Sequence, residues 1–142
     1  MKNIYLDTSS IINIYHSEFD TERVLEILAN DIDNIYLSEL AKVEFNSAFW
    51  KKIRQGESTE EEGKEVINNF EDDYSKYEWV KVDLEILNSA KELIKKYGKD
   101  GLRTLDSIQL ACAVFIKEKV DGHLTSDIAL KEIFIKEGLI IL

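Results

Sequence analysis

The sequence predicts an α/β protein in which a short parallel sheet of about five strands is sandwiched between helices, and three observations predict it. Runs of three to five apolar residues recur along the chain without the alternation of a half-solvated strand, as strands buried on both faces require. Between these runs lie stretches whose apolar residues are spaced three and four apart, the helical period. The two patterns alternate along the chain, as they do where helices cover both faces of a parallel sheet.

The first strand is Ile4-Tyr5-Leu6, which runs straight into Asp7 and then into Thr8 and Ser9, hydroxyl residues able to cap a helix. A helix over 9–15 follows, and Asp20 or Thr21 caps another through Leu28. Ile35-Tyr36-Leu37 is the second strand. Ser38 is the expected N-cap of a helix carrying Leu40, Val43, Ser47 and Trp50, with Glu44 about two turns in. After the break at Gly56, Ser58 and Glu61 form a capping box for a helix toward Phe70. Trp79-Val80-Lys81-Val82 is the third strand, and Asp83 caps a helix that Tyr97-Gly98 ends. Thr104 caps the next, whose apolar face is Leu105, Ile108, Cys112, Phe115 and Ile116. Residues 122–125 are the fourth strand, Ser126 caps a helix that Gly138 closes, and 139–142 form the fifth strand.

At 142 residues the chain has the length of one domain spanning 1–142, long enough to bury a core. Its 44% hydrophobic and 32% charged residues fit a globular protein, and no apolar run reaches the roughly 20 residues of a membrane span. Lys2 and Asn3 lead directly into a strand with no signal-peptide pattern, so the expected location is the cytoplasm. Cys112 is the single cysteine, which excludes an intrachain disulfide and a cysteine-based zinc site, and its helical apolar context predicts an inert buried thiol. His16 and His123 have no metal-ligand spacing. The net charge of -10 is unlike that of a basic nucleic-acid-binding domain, but divalent cations neutralise a carboxylate cluster locally and basic residues can gather in one place.

Four acids fall where such a fold would bring them together. Asp7 ends the first strand, Glu44 lies on the helix after the second, Asp106 is in the first turn of an apolar helix, and Asp127 follows the fourth strand. Strand ends and the starts of following helices share one edge, the edge at which open α/β sheets bind ligands. Bare carboxylates at close range repel, and a divalent cation removes that repulsion. Oxygen donors without histidine or cysteine suit Mg²⁺ or Mn²⁺ better than zinc. Read singly, each acid is also an ordinary residue: Asp7 a strand-end cap, Asp106 and Asp127 partners of helix dipoles, Glu44 the partner of a lysine.

Taken in order, Tyr5-Leu6-Asp7-Thr8-Ser9, Ser38-Glu39-Leu40-Ala41-Lys42-Val43-Glu44-Phe45, Leu105-Asp106-Ser107-Ile108-Gln109-Leu110-Ala111 and Leu124-Thr125-Ser126-Asp127 resemble the PIN-domain nucleases, in particular the small toxins of VapBC toxin–antitoxin pairs. The resemblance spans nearly the whole chain and rests on the set of motifs together. It implies a metal-dependent endoribonuclease with Asp7, Glu44, Asp106 and Asp127 forming an Mg²⁺-binding pocket, Asp127 being the most variable contributor. It also implies an assisting hydroxyl, for which Ser9 and Thr8 are the candidates, a homodimer, and a small antitoxin that covers the site.

Basic residues gather at Lys95-Lys96, Lys99 and Arg103 ahead of Asp106, and at Lys51-Lys52 and Arg54 beyond Glu44. Lys99 and Arg103 are the expected RNA-phosphate contacts, set against solvated lysines at a helix end. Trp50 beside two lysines reads as core in preference to a base-stacking ring, as do Tyr5 and Trp79. Two other functions compete: a phosphotransfer enzyme using the strand-end Asp7, disfavoured because residue 9 is not an acid, and a non-catalytic RNA-binding or protein-interaction module, which the acidic balance suits.

Overall fold

The structure is a computed structural model that describes residues 2–142. Strands β1 (Lys2–Leu6), β2 (Ile32–Ser38), β3 (Glu78–Val80) and β4 (Gly122–Leu124) form one parallel sheet in the order β3-β2-β1-β4. Among the described residues seven helices surround it: α1 (Thr8–Tyr15), α2 (Thr21–Leu28), α3 (Leu40–Arg54), α4 (Glu60–Asp72), α5 (Leu84–Tyr97), α6 (Thr104–Phe115) and α7 (Ile128–Lys136). No helix among them is long and apolar enough to cross a membrane.

The sheet therefore has four strands where about five were expected. Residues 139–142 meet β4 at one point, with the His123 N–H donating to the Ile140 carbonyl at 2.8 Å and the Leu142 N–H donating to the His123 carbonyl at 3.0 Å. β4 is only three residues long, so this bridge never extends into a ladder. Leu142 closes over Gly122, where a Cβ would lie 2.6 Å from the leucine Cγ, and glycine admits that approach.

Two apolar layers flank the sheet. Side chains alternate along β1. Ile4 and Leu6 enter a core with Ile11, Val24, Phe45, Phe49 and Phe70 under α1–α4, and Tyr5 enters a core with residues of α5, α6 and α7. The first core is aromatic at its centre, with the Phe45 and Phe70 rings 4.3 Å apart. Some expected core residues lie elsewhere: Trp50 is 37% exposed, Leu105 49% and Phe115 56%, because α3 and α6 turn those faces to solvent. Cys112 is buried as expected.

Several helix starts move by one residue. Ser38 stays in β2, paired with Val80, and the Glu39 N–H donates to the Val80 carbonyl at 2.9 Å, so α3 begins at Leu40 and Glu44 lies little more than one turn in. The capping box is Thr59 with Glu62, not Ser58 with Glu61, because Thr59 has the extended backbone an N-cap needs. Arg103 precedes α6 where Thr104 was the expected cap, and Asp127 rather than Ser126 caps α7, the Ser126 hydroxyl donating instead to Asp20 at 2.6 Å.

The chain moves from β1 outward through β2 to β3, then returns to place β4 on the other side of β1. That reversal opens a crevice at the carboxyl ends of β1 and β4.

Candidate active site

Asp7 is the first residue past β1 and the N-cap of α1, so strand and helix together fix its carboxylate at the crevice. It is only 3% exposed. Its Oδ1 accepts from the Ser9 hydroxyl at 2.7 Å and the Ser10 N–H at 3.2 Å, and its Oδ2 accepts from the Thr125 hydroxyl at 2.7 Å. Burial pushes its pKa up to about 6, and those donors oppose the rise without cancelling it.

Glu44 comes from α3, half-buried, and its Oε1 accepts from the Thr8 hydroxyl at 2.9 Å and from Gln109 Nε2 at 2.7 Å. Burial raises its pKa, with the charge of Asp106 adding to the effect. Asp106, in the first turn of α6, is raised by burial first and by the charge of Asp127 second, while Arg103 pulls it down. Asp127 caps α7 by accepting from the Leu130 N–H at 3.0 Å. The capping roles of Asp7 and Asp127 are thus real, and they do not remove either acid from the site. Asp7, Glu44, Asp106 and Asp127 line one cavity of about 520 Å³ with Thr8, Ser9, Lys51 and Gln109.

Gln109 is the residue sequence reasoning missed. It is 2% exposed, donates from Nε2 to both Thr8 and Glu44, and accepts the Tyr5 hydroxyl at Oε1. The Tyr5 hydroxyl also donates to the Gln109 carbonyl at 3.2 Å. One chain of hydrogen bonds therefore runs from the β1 core through α6 to the carboxylate on α3. The signal was an uncharged polar residue three positions after Asp106, on the same face of a strongly apolar helix.

The two expected phosphate contacts separate. Arg103 is exposed and its charge reaches Asp106, whereas Lys99 is exposed on the short turn Gly98–Asp100 and does not line the cavity. Lys51, seven residues beyond Glu44, does line it. Among the described residues no group of three acids, histidines or cysteines stands close enough to hold a metal ion as it is.

Comparison with known proteins places this geometry in context. A family model described as the PIN domain matches residues 4–134. No curated protein matches the sequence. Among solved structures, the Mycobacterium tuberculosis toxin VapC20, described as cleaving the sarcin–ricin loop, aligns with a TM-score of 0.71 at 12% identity, covering 98% of each chain. FitAcB of Neisseria gonorrhoeae aligns at 0.68 with 16% identity over 98% of this chain and 96% of its own. VapBC2 of Rickettsia felis, bound to a promoter DNA fragment, aligns at 0.64 with 18% identity over 99% and 97%. At these identities the likeness is one of fold.

Proposed function

The chain belongs to the PIN-domain family, and from that we propose that it is a metal-dependent endoribonuclease, the toxin of a VapBC-type pair. The observation that carries this reading is the convergence of Asp7, Glu44, Asp106 and Asp127, from four separate segments, on one cavity. Burial and mutual repulsion raise three of those acids, a cost that a divalent cation at the centre would relieve. The donors are all oxygens, which suits Mg²⁺ or Mn²⁺. When bound, such an ion acidifies a water and offsets the charge that develops on the phosphodiester.

The chain's own residues supply the positioning. Ser9 and Thr125 hold Asp7 from its two oxygens, and Thr8 and Gln109 hold Glu44 from one, leaving its other oxygen free to face the cavity. Asp106, from α6, and Asp127, at the start of α7, complete the donor set. Ser9 thereby assists as an orienter of Asp7. The toxin–antitoxin complexes among the similar folds support an antitoxin partner for this chain, and we place it as a homodimer in the cytoplasm by the same family reading.

The test is cleavage of single-stranded RNA by the purified protein with Mg²⁺ or Mn²⁺ and with EDTA. Cleavage is expected only with metal. Metal-independent cutting would overturn the metal-dependent mechanism, and no cutting of any RNA together with no metal binding by calorimetry would replace the nuclease with a non-catalytic interaction module.

Neutralising Lys99 and Arg103 together is expected to weaken RNA binding and to flatten the dependence of log K on log salt by about 0.7 for each phosphate no longer neutralised. Salt titrations of the double variant and the parent measure it, and equal slopes would remove both residues from the RNA surface.

A further inference from the structure

A second cleft, of about 390 Å³, opens beside the carboxylate cavity. The two share Ser9, Ile12, Ala48 and Lys51, so they form one continuous trough with Lys51 at the junction. Adjacent Lys52 is engaged by Glu18 at 2.7 Å and Glu57 at 3.7 Å. Among the described residues Lys51 has no carboxylate within ion-pair distance, so its ammonium is available to an incoming anion. Phe19, in the turn between α1 and α2, lines this cleft and also a smaller one that Asp127 lines; it is 84% exposed and stacked on no other ring among the described residues. A phenyl group so placed is poorly solvated, and a turn accepts polar residues readily. Gln55, on the same wall, presents an amide that can both donate and accept.

The trough therefore offers the carboxylates of one part, the cation Lys51 shared by both, and a flat apolar ring in the other part, where Glu18 and Glu57 are engaged by Lys52. A nucleotide strand offers the matching set of scissile phosphate, next phosphate and base. Resting on the nuclease reading above, we propose that this cleft seats a nucleobase of single-stranded RNA adjacent to the scissile phosphate, stacked on Phe19, while Lys51 takes the phosphate between them. Single-stranded RNA fits because its bases are free to leave one stack for another, and an aromatic face accepts any base. The cleft is thus a subsite that fixes which bond enters the carboxylate cavity.

The test separates binding from cleavage. A short fluorescently labelled single-stranded RNA is titrated into the full chain carrying Asp7→Asn, which holds RNA without cutting it, and into the same chain with Phe19→Ala, Phe19→Trp or Lys51→Met added. Phe19→Ala is expected to raise Kd about tenfold, as loss of one base stack does, and Phe19→Trp to retain affinity. The added indole is expected to be quenched by the single-stranded RNA and not by inorganic phosphate. Lys51→Met is expected to weaken binding and reduce its salt slope. Equal affinity of Phe19→Ala and its parent overturns the subsite, and so does weakening confined to a protein partner, which would assign the cleft to an antitoxin. Failure of the nuclease reading shows separately, as absence of metal-dependent cleavage by the chain with Asp7 intact while RNA still binds through Phe19.

Discussion

Asp7→Asn is expected to abolish RNA cleavage and, in the absence of metal, to make the protein more stable. With Asp7 as a donor to the proposed ion, loss of its carboxylate removes several kcal/mol of transition-state stabilisation, about a thousandfold in rate. The stability gain comes from burial. The rise of the Asp7 pKa from 3.8 to about 6 corresponds to about 3 kcal/mol against the folded state once the group is ionised. The folded protein binds the Asp7 proton more tightly than the unfolded chain does, so this acid favours folding below pH 4 and loses that contribution as pH rises through about 6. The amide carries no charge to desolvate, and Thr125 need only turn its hydroxyl to accept from it. A gain of about 2 kcal/mol, or about 5 °C in Tm, is expected at neutral pH, shrinking toward zero near pH 4. Thermal melts of both proteins across that range, in EDTA and in Mg²⁺, measure it. A variant less stable than its parent at pH 7 without metal would mean that the hydrogen bonds to Asp7 outweigh its burial.

Gln109→Leu is expected to lose both stability and activity. The substitution removes the Nε2 donor from Glu44 and Thr8 and the Oε1 acceptor from Tyr5, of which the Thr8 and Tyr5 bonds are buried and the Glu44 bond partly so. Removing these three hydrogen bonds, one of them to a carboxylate, costs about 3 kcal/mol. Tyr5 retains the Gln109 carbonyl as an acceptor, which limits the loss. Glu44, with one donor fewer, rotates more freely and protonates more readily, since its pKa is already raised by burial. A drop in kcat of about 10- to 100-fold is expected, the usual effect of removing a partner that orients a metal ligand. Denaturant titration gives the first quantity and steady-state kinetics well below the melting temperature the second. A purely structural role would leave kcat and its acid limb unchanged there, whereas an orienting role moves that limb to higher pH.

Much of the candidate site was legible because its acids follow from local pattern. An apolar run ending in Asp7 and two hydroxyl residues reads as a strand delivering a carboxylate, and Asp106 stands out in an otherwise apolar helix turn. What a local reading cannot reach depends on pairings between distant parts of the chain. Tyr5 reads correctly as core, yet its hydroxyl bonds to Gln109, 104 residues away, and no local window shows that pair. The helix start at Leu40 shifted because strand pairing keeps Ser38 in β2, and the one at Glu60 because Ser58 and Thr59 compete for one cap and backbone geometry favours Thr59. Lys51 was legible in principle. Glu44, Ala48 and Lys51 stand four and then three apart on α3, so one helical face carries all of them to the cavity. Lys99, favoured by the clustering of charge ahead of Asp106, lies exposed on the turn Gly98–Asp100 outside the cavity lining.

The hydrogen bond between Asp7 and Thr125 joins residues 118 apart, and Asp127 lies just beyond. During synthesis the chain emerges amino end first, so Asp7, Thr8 and Glu44 leave the ribosome long before β4 can dock beside β1. No nascent chain stopped short of residue 127 carries a complete pocket. On the nuclease reading proposed above, the first opportunity to cut arises only after β4 has found its place beside β1.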